Sequence, residues 1–443
     1  MSQPAGLLER LGLHRPELRA WVMYDWANSA FMTTVITAVF PVFFEKEAGA
    51  FLDPAVALSR FGYASTLAIL IVACMTPVLG AIADYSAMKK KMLGAFLAVG
   101  LAATAGMYFI QQGQWLFALT LFVVGNIGAF GSMAFYDSLL PHVAREGEAD
   151  RVSSAGYAIG YLGGGLLLVL NLAWIVRPQA WGLADAGQAT RLSFLSVAVW
   201  WLLFSIPMFR GVPEPPRAIE DDEQPRQNPV AVGFRRVRET FGELRTFRHA
   251  FLLLVAFAIY NDGINTIIRM ATIYGSQVGL SATDMMPAIV LVQFVGVPFT
   301  FLFGAMAARI GPKRAVFLSL VVYTGISVLG FFMRTRLHFY ALACLVATVQ
   351  GGSQALSRSM FATMIPRHKS SEFFAFFGIF EKFTGILGPA IFASVVAATG
   401  SARLAILSII GFFVVGGVVL AFVNVGEGQR AAREAEAHVR TVT

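Results

Sequence analysis

Apolar runs of roughly 20 residues recur along this chain, and that is the length a helix needs to cross the hydrocarbon core of a bilayer. They fall near 20–44, 60–83, 92–111, 114–139, 155–176 and 191–209, then near 250–274, 284–308, 314–334, 337–362, 372–398 and 401–424. A backbone in lipid must satisfy each N–H and C=O internally, so repeated apolar runs of this length admit helices and little else. The runs predict an all-α polytopic membrane protein of about twelve transmembrane helices. Composition agrees where it bears on this. Of 443 residues, 57% are hydrophobic and 14% charged, against about 25% charged in a soluble chain.

The net charge of +8 would raise nucleic-acid binding in a soluble protein. Here Lys and Arg gather in short clusters between apolar runs (Lys89 to Lys91; Arg235, Arg236, Arg238; Lys313, Arg314), with no basic face interleaved with exposed aromatics. With the N-terminus inside, cytoplasmic segments hold about 24 Lys and Arg and outside loops about 7, so positive charge fixes an orientation with both termini cytoplasmic. The partners expected are a lipid bilayer and a small-molecule solute, not nucleic acid. Cys74 and Cys344 lie in apolar runs and form neither a CxxC pair nor a zinc set. No metal and no cofactor is expected.

The largest break runs from Arg210 to His249. Pro213, Pro215 and Pro216, then Glu220, Asp221, Asp222 and Glu223, cannot bury a core and read as a flexible linker. Beyond Val230, Phe234, Val237, Phe241, Leu244 and Phe247 recur at helical spacing with Arg between them, which predicts an amphipathic helix on the inner leaflet. The break divides the chain into an N-terminal six-helix bundle (1–209), a cytoplasmic linker (210–249), a C-terminal six-helix bundle (250–424) and a cytoplasmic tail (425–443). The halves echo each other. Gly80 to Asp84 followed by Lys89 and Lys90 corresponds to Gly304 to Ala308 followed by Lys313 and Arg314, and Asp25/Asn28 corresponds to Asp262/Asn265 at i, i+3. Two halves related by an internal repeat are typical of transporters that rock around a central site.

The two-half plan and the Gly80…Asp84…Lys89-Lys90 turn resemble the major facilitator superfamily. The run Tyr24-Asp25-Trp26-Ala27-Asn28-Ser29-Ala30-Phe31 is similar to the signature of the vacuolar effluxer family, the autophagy-related amino-acid exporters and their bacterial relatives. Ser153 to Gly164, Arg358-Ser359-Met360-Phe361, Ile365-Pro366, Glu372-Phe373-Phe374 and Leu387-Gly388-Pro389 are similar to it too. The second copy of the turn departs from the pattern, with Ala308 where the first has Asp84. The resemblance implies two pseudo-symmetric six-helix bundles of the major facilitator fold and export or exchange of solutes, amino acids being the class for the fungal members.

Ionisable groups at membrane depth are costly unless they face protein or water, so they are the functional clues. Asp25, with Asn28, either couples protons or binds a substrate amine, or else caps helix ends or pairs with a cytoplasmic Arg. Asp262 and Arg269, seven residues apart and nearly on one face, suit the two charged ends of a zwitterion; Asn265 lies between them, and a structural bridge from Arg269 is the alternative. Glu381 and Lys382 are adjacent, point about 100° apart on a helix, and so each needs a partner on another helix, Asp262 being the candidate for Lys382. Glu381 is the leading protonatable carboxylate. Gln350, Gln354 and Arg358 form a polar stripe that binds a carboxylate or latches a cytoplasmic gate. Asn126, Tyr157, Tyr161 and Gln293 are further cavity-lining candidates. Gly80, Asp84, Lys89, Lys90, Asp137, Gly304, Lys313 and Arg314 are assigned to gates and loops. Gly156, Gly160 and Gly164 form a small-residue stripe for close helix packing.

These features predict a secondary active transporter of the cell inner membrane, monomeric and working by alternating access on amino acids or related zwitterions, with protons as the coupling ion. There is no GxxxxGK[ST] run for ATP and no HExxH or nucleophile–base pair for an intramembrane enzyme. The other reading left open is a transporter-like scaffold or sensor that signals through Arg210–His249 without flux.

Overall fold

The computed structural model describes residues 6–442, apart from 221–227, 243–245, 278, 281, 384, 386 and 438. Among the described residues, twelve helices are long and apolar enough to cross a membrane: Pro16–Ala48, Val56–Ser86, Lys89–Phe109, Trp115–Val143, Ala149–Val176, Ala186–Gly211, Arg248–Ala271, Pro287–Ile310, Pro312–Phe331, Arg336–Thr363, Arg367–Thr399 and Ala402–Ala421. They are called the first to twelfth spans below. Each predicted run has its helix, with ends displaced by a few residues. Both ends of the described chain emerge on one side with the turns at 87–88, 144–148, 311 and 364–366, and this side is called the terminal face.

Within the first half, the first span packs on the fifth and sixth and the fourth on the second and third; in the second half the seventh packs on the twelfth and the tenth on the eighth and ninth. The halves meet chiefly where the fifth span lies on the eighth and the second on the eleventh. Small residues set these approaches. A Cβ on Gly160 or Gly164 would strike Ser29 of the first span, and one on Gly304 would strike Ser154 of the fifth. A Cβ on Gly80 would lie 2.7 Å from the Ser371 carbonyl oxygen. The second and eleventh spans are therefore in backbone contact near the terminal face. Toward the far face Leu67, Leu70, Leu387 and Ile391 are exposed.

Two departures from a continuous α-helix bear on the site. The first span winds as a π-helix over Phe31–Val39, just before Pro41, which cannot donate to the Thr37 carbonyl. The eleventh, expected as one run over 372–398, consists of helices Ser370–Phe383 and Leu387–Thr399, with Gly385 between them at φ +90°. Glycine adopts that backbone without the steric penalty other residues meet.

The segment expected as a bare linker carries structure. Strand β1 (Arg217–Glu220) pairs antiparallel with β2 (Val439–Val442), Arg217 opposite Val442. Arg217 donates to the Tyr85 carbonyl at 2.8 Å and lies over the Tyr85 ring. Asp221, Asp222, Glu223 and Leu244 of the expected linker lie outside the described residues, as does the side chain of Phe241. The amphipathic helix spans Pro229–Gly242, up to the residues left undescribed. Gly233 seats the helix on Val78 and Ile82 of the second span, burying Val232 and Arg236, and Phe234 of the repeat expected to face the leaflet stands exposed. Past the twelfth span, helix Val425–Glu436 is capped by Asn424 and places Glu436 to accept the Arg367 N–H at 2.8 Å.

Candidate translocation site

The deepest charge cluster joins the halves. Arg358 of the tenth span is buried; its Nη1 donates to Asp137 Oδ1 of the fourth span at 2.9 Å, and its Nη2 to Asp25 Oδ2 of the first at 3.3 Å. The same guanidinium donates through Nε to Ser153 Oγ at 2.9 Å and through Nη2 to the Ser153 carbonyl at 3.0 Å on the fifth span. Tyr136 donates its hydroxyl to Asp25 Oδ2 at 2.7 Å, and the rings of Trp21, Tyr136 and Tyr157 surround the cation. One residue of the second half thus holds three spans of the first. Arginine alone offers a planar fork with enough donors for this geometry. Gly156 admits it, since a Cβ there would lie 2.2 Å from Asp25 Oδ2.

Nearer the terminal face a second cross-half set closes the second span on the eleventh. Asp84 Oδ1 and Lys89 Nζ are 2.5 Å apart, Lys89 donates to Ser370 Oγ at 2.5 Å, and the Glu372 N–H donates to Asp84 Oδ2 at 3.1 Å. Ser370 donates in turn to the Ser138 carbonyl, and His142 Nε2 lies 3.2 Å from Ser370 Oγ. Ser359 donates to Asp150, and Ser153 to the Ala355 carbonyl.

The expected zwitterion pair is placed differently. Asp262 Oδ1 accepts the N–H groups of Gly385 at 2.8 Å and Gly388 at 3.1 Å, and Arg269 Nη1 donates to the Gly385 carbonyl at 3.2 Å. Both grip the break in the eleventh span, which sequence spacing could not reveal. Asp262 therefore is not the partner of Lys382. Lys382 Nζ instead bonds Glu381 Oε2 at 2.9 Å and lies 4.5 Å from the centre of the Phe130 ring in the fourth span. Adjacent helical positions diverge by about 100°, but both side chains are long and partly exposed, and their ends turn toward each other.

The remaining candidates divide. Tyr161 lies against Gly296 and Gly351, with Gln350 in reach, and Gln293 packs on Gly165, all at the contact of the halves. Gln354 and Asn265 are half-buried, and Asn28 is buried beside the cluster. Asn126 donates to the Phe122 carbonyl of its own helix at 2.7 Å, which turns its amide inward. Lys90 donates to the Phe209 and Val212 carbonyls, and Lys313 to those of Ala421 and Val423, so both bind within their own halves. Arg314 is exposed. Among the described residues no group of three His, Cys, Asp or Glu is placed to hold a metal.

Residues 56–433 match the family described as vacuole effluxer Atg22 like. The chain belongs to that family. It is 39% identical over 406 residues to an uncharacterized MFS-type transporter of Bacillus subtilis, YxiO, covering 91% of this chain and 94% of that protein. Autophagy-related protein 22 of Yarrowia lipolytica is 28% identical over 285 residues, covering 57% of this chain and 46% of that one. Among solved structures, the major facilitator proton:xylose symporter XylE superposes with a TM-score of 0.70 at 14% identity, over 97% of this chain and 98% of that one. The fold is that of the major facilitator superfamily, and this Atg22-like protein is a multi-pass MFS-type transporter whose relatives are transporters and not enzymes. In this family member the sequence flagged Asp25, Asp137 and Arg358 separately but did not join them. Tyr136 was in view beside Asp137 and Ser153 opened a family-like segment, neither with a partner in sight; Ser370 was missed, and its only signal was a hydroxyl beside a flagged motif.

Proposed function

We propose that this Atg22-like chain is a secondary active transporter that exports amino acids or related zwitterions across the cell inner membrane, as a monomer, by proton-coupled alternating access, with its terminal face cytoplasmic. The orientation rests on the loop charge bias, about 24 Lys and Arg against about 7. The observation that carries the reading is the Arg358 cluster: one cation of the second half spans two carboxylates of the first. With both acids ionised the buried set carries a net negative charge, which low dielectric penalises. A proton on Asp25 or Asp137 balances the set and weakens one of the bonds that close the terminal face. Proton binding and gate opening are thereby linked through the same atoms. Solute class and direction follow from the family resemblance.

Purified protein in liposomes, with an imposed proton gradient and the proteinogenic amino acids as labelled solutes, tests this. Gradient-dependent movement of neutral zwitterions is expected, and Arg358→Gln should lower it by roughly tenfold or more, the worth of a charge-assisted contact of about 1.5–3 kcal/mol. Movement of none of the amino acids in either direction would overturn the reading.

A further inference from the structure

The Glu381–Lys382 pair stands in the eleventh span where its buried stretch gives way to a partly exposed one. Ser370 to Phe377 of the same span are buried, Ser370 and Ser371 on Ser138 of the first half and Phe373 and Phe377 on Phe251, Phe257 and Phe361 of the second, while Gly378 to Lys382 are half-buried. The two side chains are 28% and 24% exposed, far more than Arg358 at 1%. They bond each other at 2.9 Å although they are neighbours in sequence, and Lys382 rests on Phe130 of the opposite half. The Glu381 carboxyl is near enough to Asp137 and Tyr157 of the first half to act on both electrostatically. Behind the pair, Asp262 and Arg269 fix the helix break that presents it.

We propose that Glu381 and Lys382 are the residues that read the two charges of a zwitterionic solute, an inference that rests on the amino-acid reading above. The solute carboxylate takes the Lys382 ammonium and the solute ammonium takes the Glu381 carboxylate, so the bridge opens by exchange of partners and neither charge is left alone. This keeps the desolvation cost low, because a buried ion is expensive only when unpaired. Phe130 supplies an apolar wall for the side chain of the solute. Contact with Phe130 from the first half and with the pair from the second places the solute where both halves touch it. A broken span beside the binding groups matches the general design in which discontinuous helices carry transporter sites.

Exchange of labelled L-leucine in liposomes, competed by leucine, by leucinamide (no carboxylate) and by α-ketoisocaproate (no ammonium), tests the assignment. In the wild type only leucine should compete strongly. In Lys382→Gln, leucine should compete roughly tenfold more weakly and no better than leucinamide; in Glu381→Gln, no better than α-ketoisocaproate. The reversed pair, Glu381→Lys with Lys382→Glu, keeps a bridge and a thermal stability near that of the wild type and should still lose leucine exchange. Leucine exchange with wild-type discrimination in either single variant, or its full return in the reversed pair, would overturn the assignment and leave the transporter reading intact. A wild type that moves no zwitterion at all sinks the broader reading instead.

Discussion

Lys90 and Lys313 occupy equivalent places in the two halves, each opening a helix and driving its ammonium onto the last carbonyls of the final span of its own half. Lys90 reaches Phe209 and Val212; Lys313 reaches Ala421 and Val423. Carbonyls at a helix end have no intrahelical donor, and a cation there also opposes the negative end of the helix dipole. Each lysine therefore fixes two helix ends at once. Lys90→Met is expected to lower stability by about 1–3 kcal/mol, read as a fall in thermal unfolding temperature in detergent. Lys313→Met should cost less, because its contacts lie nearer solvent. Equal and negligible losses in both would show that the contacts do not bind the ends.

The same turn supplies a pH effect. Glu214, past the sixth span, accepts the N–H of Lys89 at 2.7 Å and of Lys90 at 2.9 Å. Burial pushes its carboxyl above the ordinary 4.5, outweighing those N–H groups and the two ammoniums, which pull it down. A folded-state pKa that is raised gives a contribution present below the unfolded value and lost as pH rises through the folded one. Against Glu214→Gln, the wild type should therefore lose unfolding temperature as the pH rises above the ordinary carboxylate value. A difference that stays flat as the pH rises counts against it.

The twelve spans were legible because a bilayer demands long apolar runs whatever the tertiary contacts. The internal repeat was legible through the turns at Gly80 and Gly304. What the spans do to each other was not. Asp25 and Arg358 are 333 residues apart, and nothing along the chain says that the fork of one meets the carboxylate of the other. Burial did leave a trace, since a lone Arg on a polar stripe in an apolar helix had to have a partner. Glu381 and Lys382 bond each other for a different reason: adjacent helical positions diverge by about 100°, but both side chains are long enough to bend back across that angle. The seven-residue spacing of Asp262 and Arg269 was visible in the sequence, and the glycine break that both hold was not.

Closure of the terminal face depends on contact without side chains at Gly80. A Cβ there would meet the Ser371 carbonyl oxygen at 2.7 Å and the Glu372 nitrogen at 3.0 Å, both backbone atoms that cannot rotate away. Gly80→Val should therefore force the second and eleventh spans apart at a cost of about 1–3 kcal/mol, a factor of roughly 5 to 150 in the balance between closed and open terminal faces. Spin labels at Lys91 and Arg367, both exposed on that face, should report longer separations in the variant. An unchanged distance distribution would mean that the two spans absorb the methyl groups without parting.

Asp262 is the residue whose two readings differ most in outcome. As a substrate or proton group it must carry its charge or titrate, and Asp262→Asn would then abolish flux. As the cap of the second segment of the eleventh span it needs only an oxygen, since Oδ1 alone accepts both the Gly385 and Gly388 N–H groups. Asparagine keeps that oxygen and caps nearly as well; alanine leaves both donors in a buried place without an acceptor. The geometry therefore predicts that Asp262→Asn retains most of the solute flux and stability, while Asp262→Ala loses about 1–3 kcal/mol and flux with it. The order of the two variants decides the matter, because a titrating carboxylate would make them equally inactive.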